Sequence, residues 1–238
     1  YVVTGHYARI DRDPKTGRFL LKKGLDPTKD QSYVLYAMTQ NQLAHTLFPL
    51  GELTKDQTRQ IAESQGFINA RKHDSQDICF VQTGNYADFI EEQTGKKCPK
   101  GNYIDKDGNV LGRHRGVIHY TIGQRKGLGI ALCEPMYVCA IDPEANTVTL
   151  GRNEDLFSRS LIAKDVNLIS VPSIDTPMKV KAKIRYRQQE QPATVTQIDE
   201  DTIRIDFDEP QRAITKGQSA VLYDGDIVVG GGTITEVL

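Results

Sequence analysis

The stretch "KHDSQDICFVQ", residues 72–82, sets Cys79 behind two acidic residues and at the head of an apolar run, with Lys72 and His73 just upstream. A thiol does chemistry as its thiolate, which nearby cations or a helix N-terminus favour and burial among acids opposes. Around Cys79 the influences are mixed: Lys72 and His73 help, Asp74 and Asp77 hinder, and "ICFV" reads as a half-buried strand. Cys98 in "GKKCPK" sits beside Lys96, Lys97 and Lys100, a better electrostatic setting, but it has no organised neighbours. The residues alone do not choose between these two. Cys133 and Cys139 fall around Tyr137 and Val138 in a strand pattern and are expected to be packed and inert. With no CxxC pair and no zinc-like spacing, all four are expected to be reduced thiols.

The second chemical pattern is "KVKAKIRYR". Lys179, Lys181, Lys183, Arg185 and Arg187 take every second position, with Val180, Ala182, Ile184 and Tyr186 between them. In a strand the first set lines one face and the second packs inward. Same-face charges then lie roughly 6.6 Å apart, a spacing suited to a sugar-phosphate backbone. The other reading is a lysine-rich edge strand that blocks edge-to-edge pairing. A further basic cluster, "GRHRGVIHYTIGQRKGLG", lacks the strand-then-helix context of a phosphate loop, so Gly123, Gly127 and Gly129 read as turn residues. His6 follows a β run through Gly5, and a strand-end glycine lets backbone approach a ligand.

These residues need elements to hold them. Residues 1–23 read as strand, turn and strand, with Pro14 and Gly17 in the turn. From Asp30 to Gly95 the period is helical: one run ending at Pro49, one opened by a Thr54/Gln57 capping box and closed by Gly66, and one carrying a Tyr86/Phe89/Ile90 stripe. All three apolar stripes are expected to pack. From about Asn102 the signal is β, with a type I′ turn expected at Asp107-Gly108 and a second hairpin turning through "DPEAN". The last stretch, from about Ser158, has the cadence of a small antiparallel barrel.

Thirty basic and 31 acidic residues leave a net charge of −1, so a polyanion would have to be held by local clusters rather than a global field. No apolar run approaches the ~18 residues of a membrane span, and no signal peptide is evident, so a cytoplasmic location away from membranes is expected. The opening "YVVTGHYARI" begins in mid-strand and reads as part of a longer sheet.

Taken together, "TGHYAR", "KDQSY", "FPLGELTK", "DSQDICF", "HYTIGQRKGLGI", "KIRYRQ" and "ITKGQSAVLYDGDIVVGGG" resemble, in order and spacing, the bacterial tRNA-uridine 2-sulfurtransferase (tRNA-specific 2-thiouridylase) family. The resemblance implies an α+β chain in three parts. Residues 1–50 would be the C-terminal remnant of an ATP pyrophosphatase-type α/β domain, 51–118 a central helical and mixed module carrying a persulfide cysteine, and 119–238 a tRNA-binding β-barrel domain. It implies ATP and magnesium as cofactors, tRNA and a persulfide-donating protein as partners, and thiolation of the wobble uridine. Cys79 would be the sulfur carrier, Gly5 would meet the nucleotide and His6 would face the tRNA. Lys29, Asp30 and Gln31 would contact the anticodon region, Arg185 and Tyr186 would be an RNA-contacting pair on the basic ridge, and Gln218 a further contact. The family's glycine-rich SGGVDS loop and first catalytic cysteine are not in this sequence, so this chain alone is expected to be inactive. An RNA-binding module without chemistry, or a sulfur relay, are the other readings.

Overall fold

The computed structural model describes residues 1–71 and 86–238. The chain begins with β1 (Val2–Val3), β2 (Ala8–Arg12) and β3 (Phe19–Lys23), then α1 (Ser32–Leu35), α2 (Gln40–Ala44), β4 (Thr46–Leu47) and α3 (Lys55–Ser64). The expected N-terminal hairpin is shorter than the pattern suggested. Only β2 and β3 pair antiparallel, from Ala8 opposite Lys23 to Arg12 opposite Phe19. β1 instead runs parallel to β4, a distant pairing that no local periodicity encodes. Asp13 organises the turn, its carboxylate accepting from the Lys15 N–H at 2.9 Å and the Thr16 hydroxyl at 2.6 Å.

The helical run ending at Pro49 is two short helices rather than one. Thr39 opens α2 with a reciprocal capping box to Gln42, and a helix start inside the run breaks it. The second box is present as expected: Thr54 and Gln57 satisfy each other's backbone donors at the start of α3. The stripe on α3 does not pack as expected. None of its residues is buried, and Ile61 is 50% exposed.

The middle of the chain forms α4 (Tyr86–Thr94), β5 (Gly101–Ile104), β6 (Val110–His114), β7 (Tyr137–Asp142) and β8 (Thr147–Gly151). Its four-stranded sheet has the order β6-β5-β8-β7, with β5 and β8 parallel. Tyr103, Tyr120, Val138, Val148 and Leu150 are its core. The turn between β5 and β6 is not type I′. That turn needs positive φ at two successive residues, and of this pair only Gly108 has it, at +86°. Asp105 supplies the missing order, its side chain accepting from the N–H groups of Asp107 and Asn109.

The remaining strands are β9 (Phe157–Leu168), β10 (Met178–Lys183), β11 (Gln191–Gln197), β12 (Ile203–Arg212), β13 (Ser219–Asp224) and β14 (Ile227–Val237). They follow the order β13-β10-β11-β12-β9-β14, and pairing of β13 with β14 closes a six-stranded antiparallel barrel, as the cadence implied. Alternate residues Val180, Ala182, Val195, Ile205, Leu222 and Ile234 are buried. β3 adds to β14 through Lys22 opposite Ile227, which ties the N-terminal hairpin to the barrel.

By contact the chain forms two compact units: the barrel strands with the N-terminal hairpin and α1–α3, and the middle sheet with α4. Described residues between 119 and 158 group with the middle sheet, and residues 1–50 with the barrel. Among the described residues no helix is long and apolar enough to cross a membrane.

Candidate nucleic-acid interface

The basic run keeps its alternation for half its length. On β10, Val180 and Ala182 point inward and are buried, Lys179 and Lys181 are exposed and Lys183 is half-buried. The strand stops at Lys183, and the Gln188 N–H closes a turn onto the Arg185 carbonyl at 3.2 Å. Arg185 and Arg187 therefore leave the ridge and ride on that turn. Tyr186, expected to pack inward, is 42% exposed because the chain departs from the strand before reaching it. Lys179 is drawn to Asp208, Nζ to Oδ1 at 3.3 Å.

What gathers the candidate residues is Tyr33. Its hydroxyl donates to the Ser219 carbonyl at 2.8 Å, and its ring lies 5.9 Å from that of Tyr186. The Lys183 ammonium sits 5.7 Å from the Tyr33 ring centroid, within range of the ring's electrostatic attraction. Tyr186 in turn donates from its hydroxyl to the Asp30 carbonyl at 3.4 Å. Arg185 Nη2 donates to Thr215 Oγ1 at 3.1 Å, and the Gln218 N–H donates to the Thr215 carbonyl at 3.3 Å, with the Gln218 side chain exposed. Burial first of all pushes the Tyr33 hydroxyl up to about 12.

Asp30 and Gln31 are committed to holding this arrangement. The Asp30 carboxylate accepts from the N–H groups of Gly24 and Ser32, both at 3.1 Å, and from the Ser32 hydroxyl at 2.9 Å. Gln31 Oε1 accepts from the Tyr7 N–H at 3.0 Å. Lys29 is half-buried beside them, its N–H donating to the Asp26 carbonyl at 3.1 Å. Behind the patch, Lys23 Nζ meets Glu190 Oε1 at 2.6 Å and lies 4.8 Å over the Tyr223 ring, so the far end of the 184–190 turn is anchored by a half-buried ion pair.

Gly5 and His6 make their contacts elsewhere. His6 Nδ1 is 2.9 Å from Thr4 Oγ1, and its ring stands edge-on to Phe48 at 6.1 Å. A Cβ on Gly5 would meet only Leu50 Cδ1 at 3.4 Å, so packing does not require glycine and backbone there is open to a ligand. Cys79 lies outside the described residues. Cys98 is half-buried, its N–H donating to Glu91 Oε1 at 2.9 Å. Cys133, expected to be packed, is exposed: the chain through Pro135 joins the sheet only at Tyr137. Cys139 is half-buried in β7, and burial, then the Asp155 charge, pushes its thiol up. Among the described residues no group of three or more His, Cys, Asp or Glu side chains could hold a metal ion.

Sequence reasoning missed Tyr33, Thr215, Lys23 and Glu190. Tyr33 falls within "KDQSY" at the start of the helical run that ends at Pro49, whose apolar stripe is expected to pack; the other three act through contacts far away in sequence.

Three family models match in succession: a tRNA methyl transferase HUP domain over residues 1–104, a tRNA methyl transferase PRC-barrel domain over 87–152 and an aminomethyltransferase beta-barrel domain over 158–234. The third coincides with the closed barrel and the second with the middle sheet. The chain is 55% identical over all 238 residues to the tRNA-specific 2-thiouridylase MnmA of Clostridioides difficile, and 53% identical over 234 residues to that of Acetivibrio thermocellus. It spans 66% and 65% of the lengths of these relatives, somewhat less than two thirds. The chain belongs to the tRNA-specific 2-thiouridylase family.

Proposed function

We propose that this chain carries the sulfur-bearing cysteine and a principal RNA-binding surface of an enzyme that thiolates C2 of the anticodon wobble uridine of tRNA. The observation that carries the reading is the convergence on Tyr33 of Asp30, Lys183, Arg185 and Tyr186, with Gln218 next to Thr215: residues distant in sequence form one patch of cations and an exposed aromatic ring. Cations neutralise backbone phosphates, while an aromatic face can stack an unpaired base, the usual means of gripping a single-stranded loop. A base worked on at C2 has to be turned out of its stack, and Tyr186 offers it a surface.

In this reading bound ATP, with magnesium, would supply the activation that turns the urea-like C2 oxygen into a leaving group. The terminal sulfur of a Cys79 persulfide attacks C2, the AMP oxygen departs, and a second thiol opens the remaining S–S bond to leave a disulfide. Gly5, where packing leaves the backbone accessible, is the residue of this chain assigned to the nucleotide, and His6 faces the RNA. Lys29, Lys179, Lys181 and Arg187 complete the RNA contacts. A persulfide-carrying protein loads Cys79, and the reaction belongs in the cytoplasm. The modules expected from the sequence serve this reading, residues 1–50 closing the nucleotide domain, 51–118 bearing Cys79 and 119–238 binding tRNA, with the barrel proper starting at Phe157.

The test uses the 238-residue chain with purified tRNA and a persulfide donor. It should bind tRNA, accept labelled sulfur at Cys79, and yield no thiolated tRNA from ATP alone. Cys79→Ser should abolish sulfur loading and leave tRNA binding unchanged. Loading at exposed Cys133 instead, or thiolated product from the unassisted chain, would count against the assignment; sulfur loading without RNA binding would make the protein a relay.

A further inference from the structure

The middle sheet carries a second set of cations that the patch around Tyr33 does not use. Lys96, Lys97, Lys100, Arg113 and Arg115 are all exposed. Several other surface cations are answered by carboxylates: Lys22 by Asp11, Arg152 by Glu134, Lys179 by Asp208, Arg204 by Asp206. Among the described residues none of these five has an ion-pair partner. Of the two carboxylates just before Lys96, Glu91 is turned inward, accepting from the Cys98 N–H at 2.9 Å and lying 3.7 Å from His119 Nε2, while Glu92 is exposed.

Their placement follows from register. Gly101 faces His114 and Asn102 faces Arg113 across β5 and β6, and Lys100 and Arg115 flank that end of the hairpin. His114 and Gly101 are buried, whereas Lys100, Arg113 and Arg115 are exposed at that end of the hairpin. The supporting backbone is held in place: Asn146 Nδ2 donates to the carbonyls of Pro99 and Lys100, at 3.4 and 3.2 Å, and the Asn102 N–H to the Asn146 carbonyl at 3.3 Å. Like charges gathered at one end of a hairpin, without an ion-pair partner among the described residues, repel one another until an anion is present.

We infer that this exposed end of the β5–β6 hairpin is a second RNA-contacting surface, which takes backbone phosphates of the tRNA and reads no sequence. The inference rests on the functional reading above. With cations and no exposed aromatic beside them on these strands, this surface differs in kind from the Tyr186 patch and should position the RNA rather than select a base.

The test compares the 238-residue chain with K100Q/R113Q/R115Q and, as a milder variant, K97Q/K100Q. The triple variant should lower tRNA affinity about tenfold at low salt and reduce the log-log salt slope by about 2 to 3, or 0.7–0.9 per lost phosphate contact, equally for tRNAs of different sequence. The double variant should lose about half as much, with thermal unfolding unchanged in both. An unaltered slope in a folded triple variant overturns the inference. So does a new dimer without a slope change, since the cations would then only keep edge strand β6 from pairing. A parent chain that binds no tRNA overturns the functional reading as well; a parent that binds while its variants bind identically overturns this inference alone.

Discussion

Tyr33 shows how one residue serves both the fold and the site. Its hydroxyl is buried against the Ser219 carbonyl while its ring faces Lys183 and Tyr186. Burial raises its pKa from the ordinary 10 to about 12, so the folded state holds this proton more tightly than the unfolded chain does. The stability this contributes is fully present below pH 10 and is lost as the pH climbs from 10 through 12. Tyr103 and Tyr223 shift the same way through burial, so alkaline loosening is shared among them. Tyr33→Phe should cost about 0.5–1.5 kcal/mol at neutral pH for the lost hydrogen bond. Denaturant titrations should show the gap between parent and variant shrinking above pH 10; a constant gap would rule out this role. The sequence showed Tyr33 plainly, but a 3.6-residue period marks a side chain as inward-facing without revealing that its hydroxyl and ring edge meet a strand nearly two hundred positions later.

At the level of elements, what could be read in advance was what neighbours in sequence dictate. The Thr54/Gln57 box, the "DPEAN" turn and the barrel strands all express local rules. The Thr39/Gln42 box obeyed the same rule as Thr54/Gln57 and was overlooked inside a longer apolar period. The parallel β1–β4 pair and the end of β10 at Lys183 depend on distant partners, and no local pattern announces them. The seam that closes the barrel offers a sharp test. A Cβ on Gly231 would lie 2.5 Å from the Ala220 carbonyl oxygen and 2.7 Å from Tyr36 Cδ2, so β13 or α1 would have to move. Gly231→Ala should destabilise the protein by about 1–3 kcal/mol. Gly5→Ala, whose methyl meets only Leu50 at 3.4 Å, should stay within about 0.5 kcal/mol of the parent. Thermal unfolding of the two variants side by side checks this, and equal losses would mean that the seam is not the tight contact the geometry describes.

For the molecule as a whole, a net charge of −1 excludes steering by a global field, and the folded surface sharpens the point by answering many cations with carboxylates. Binding to a polyanion must then depend on the cations left unanswered, and the alternating run is not five equivalent charges. Lys179 leans on Asp208 at 3.3 Å, and a phosphate would have to displace that partner. Lys181 is exposed on β10 with no carboxylate partner among the described residues. Each phosphate neutralised contributes about 0.7–0.9 to the log-log salt slope of RNA binding, so the run should be read unequally. Lys181→Gln should flatten the slope by nearly one full contact, and Lys179→Gln by less, because a phosphate reaches Lys179 only by displacing Asp208. Lys179→Gln should therefore keep most of the slope. Anisotropy titrations of tRNA against both variants across a salt series separate the two outcomes, and equal slopes would return the run to the even ridge that its sequence spacing suggests.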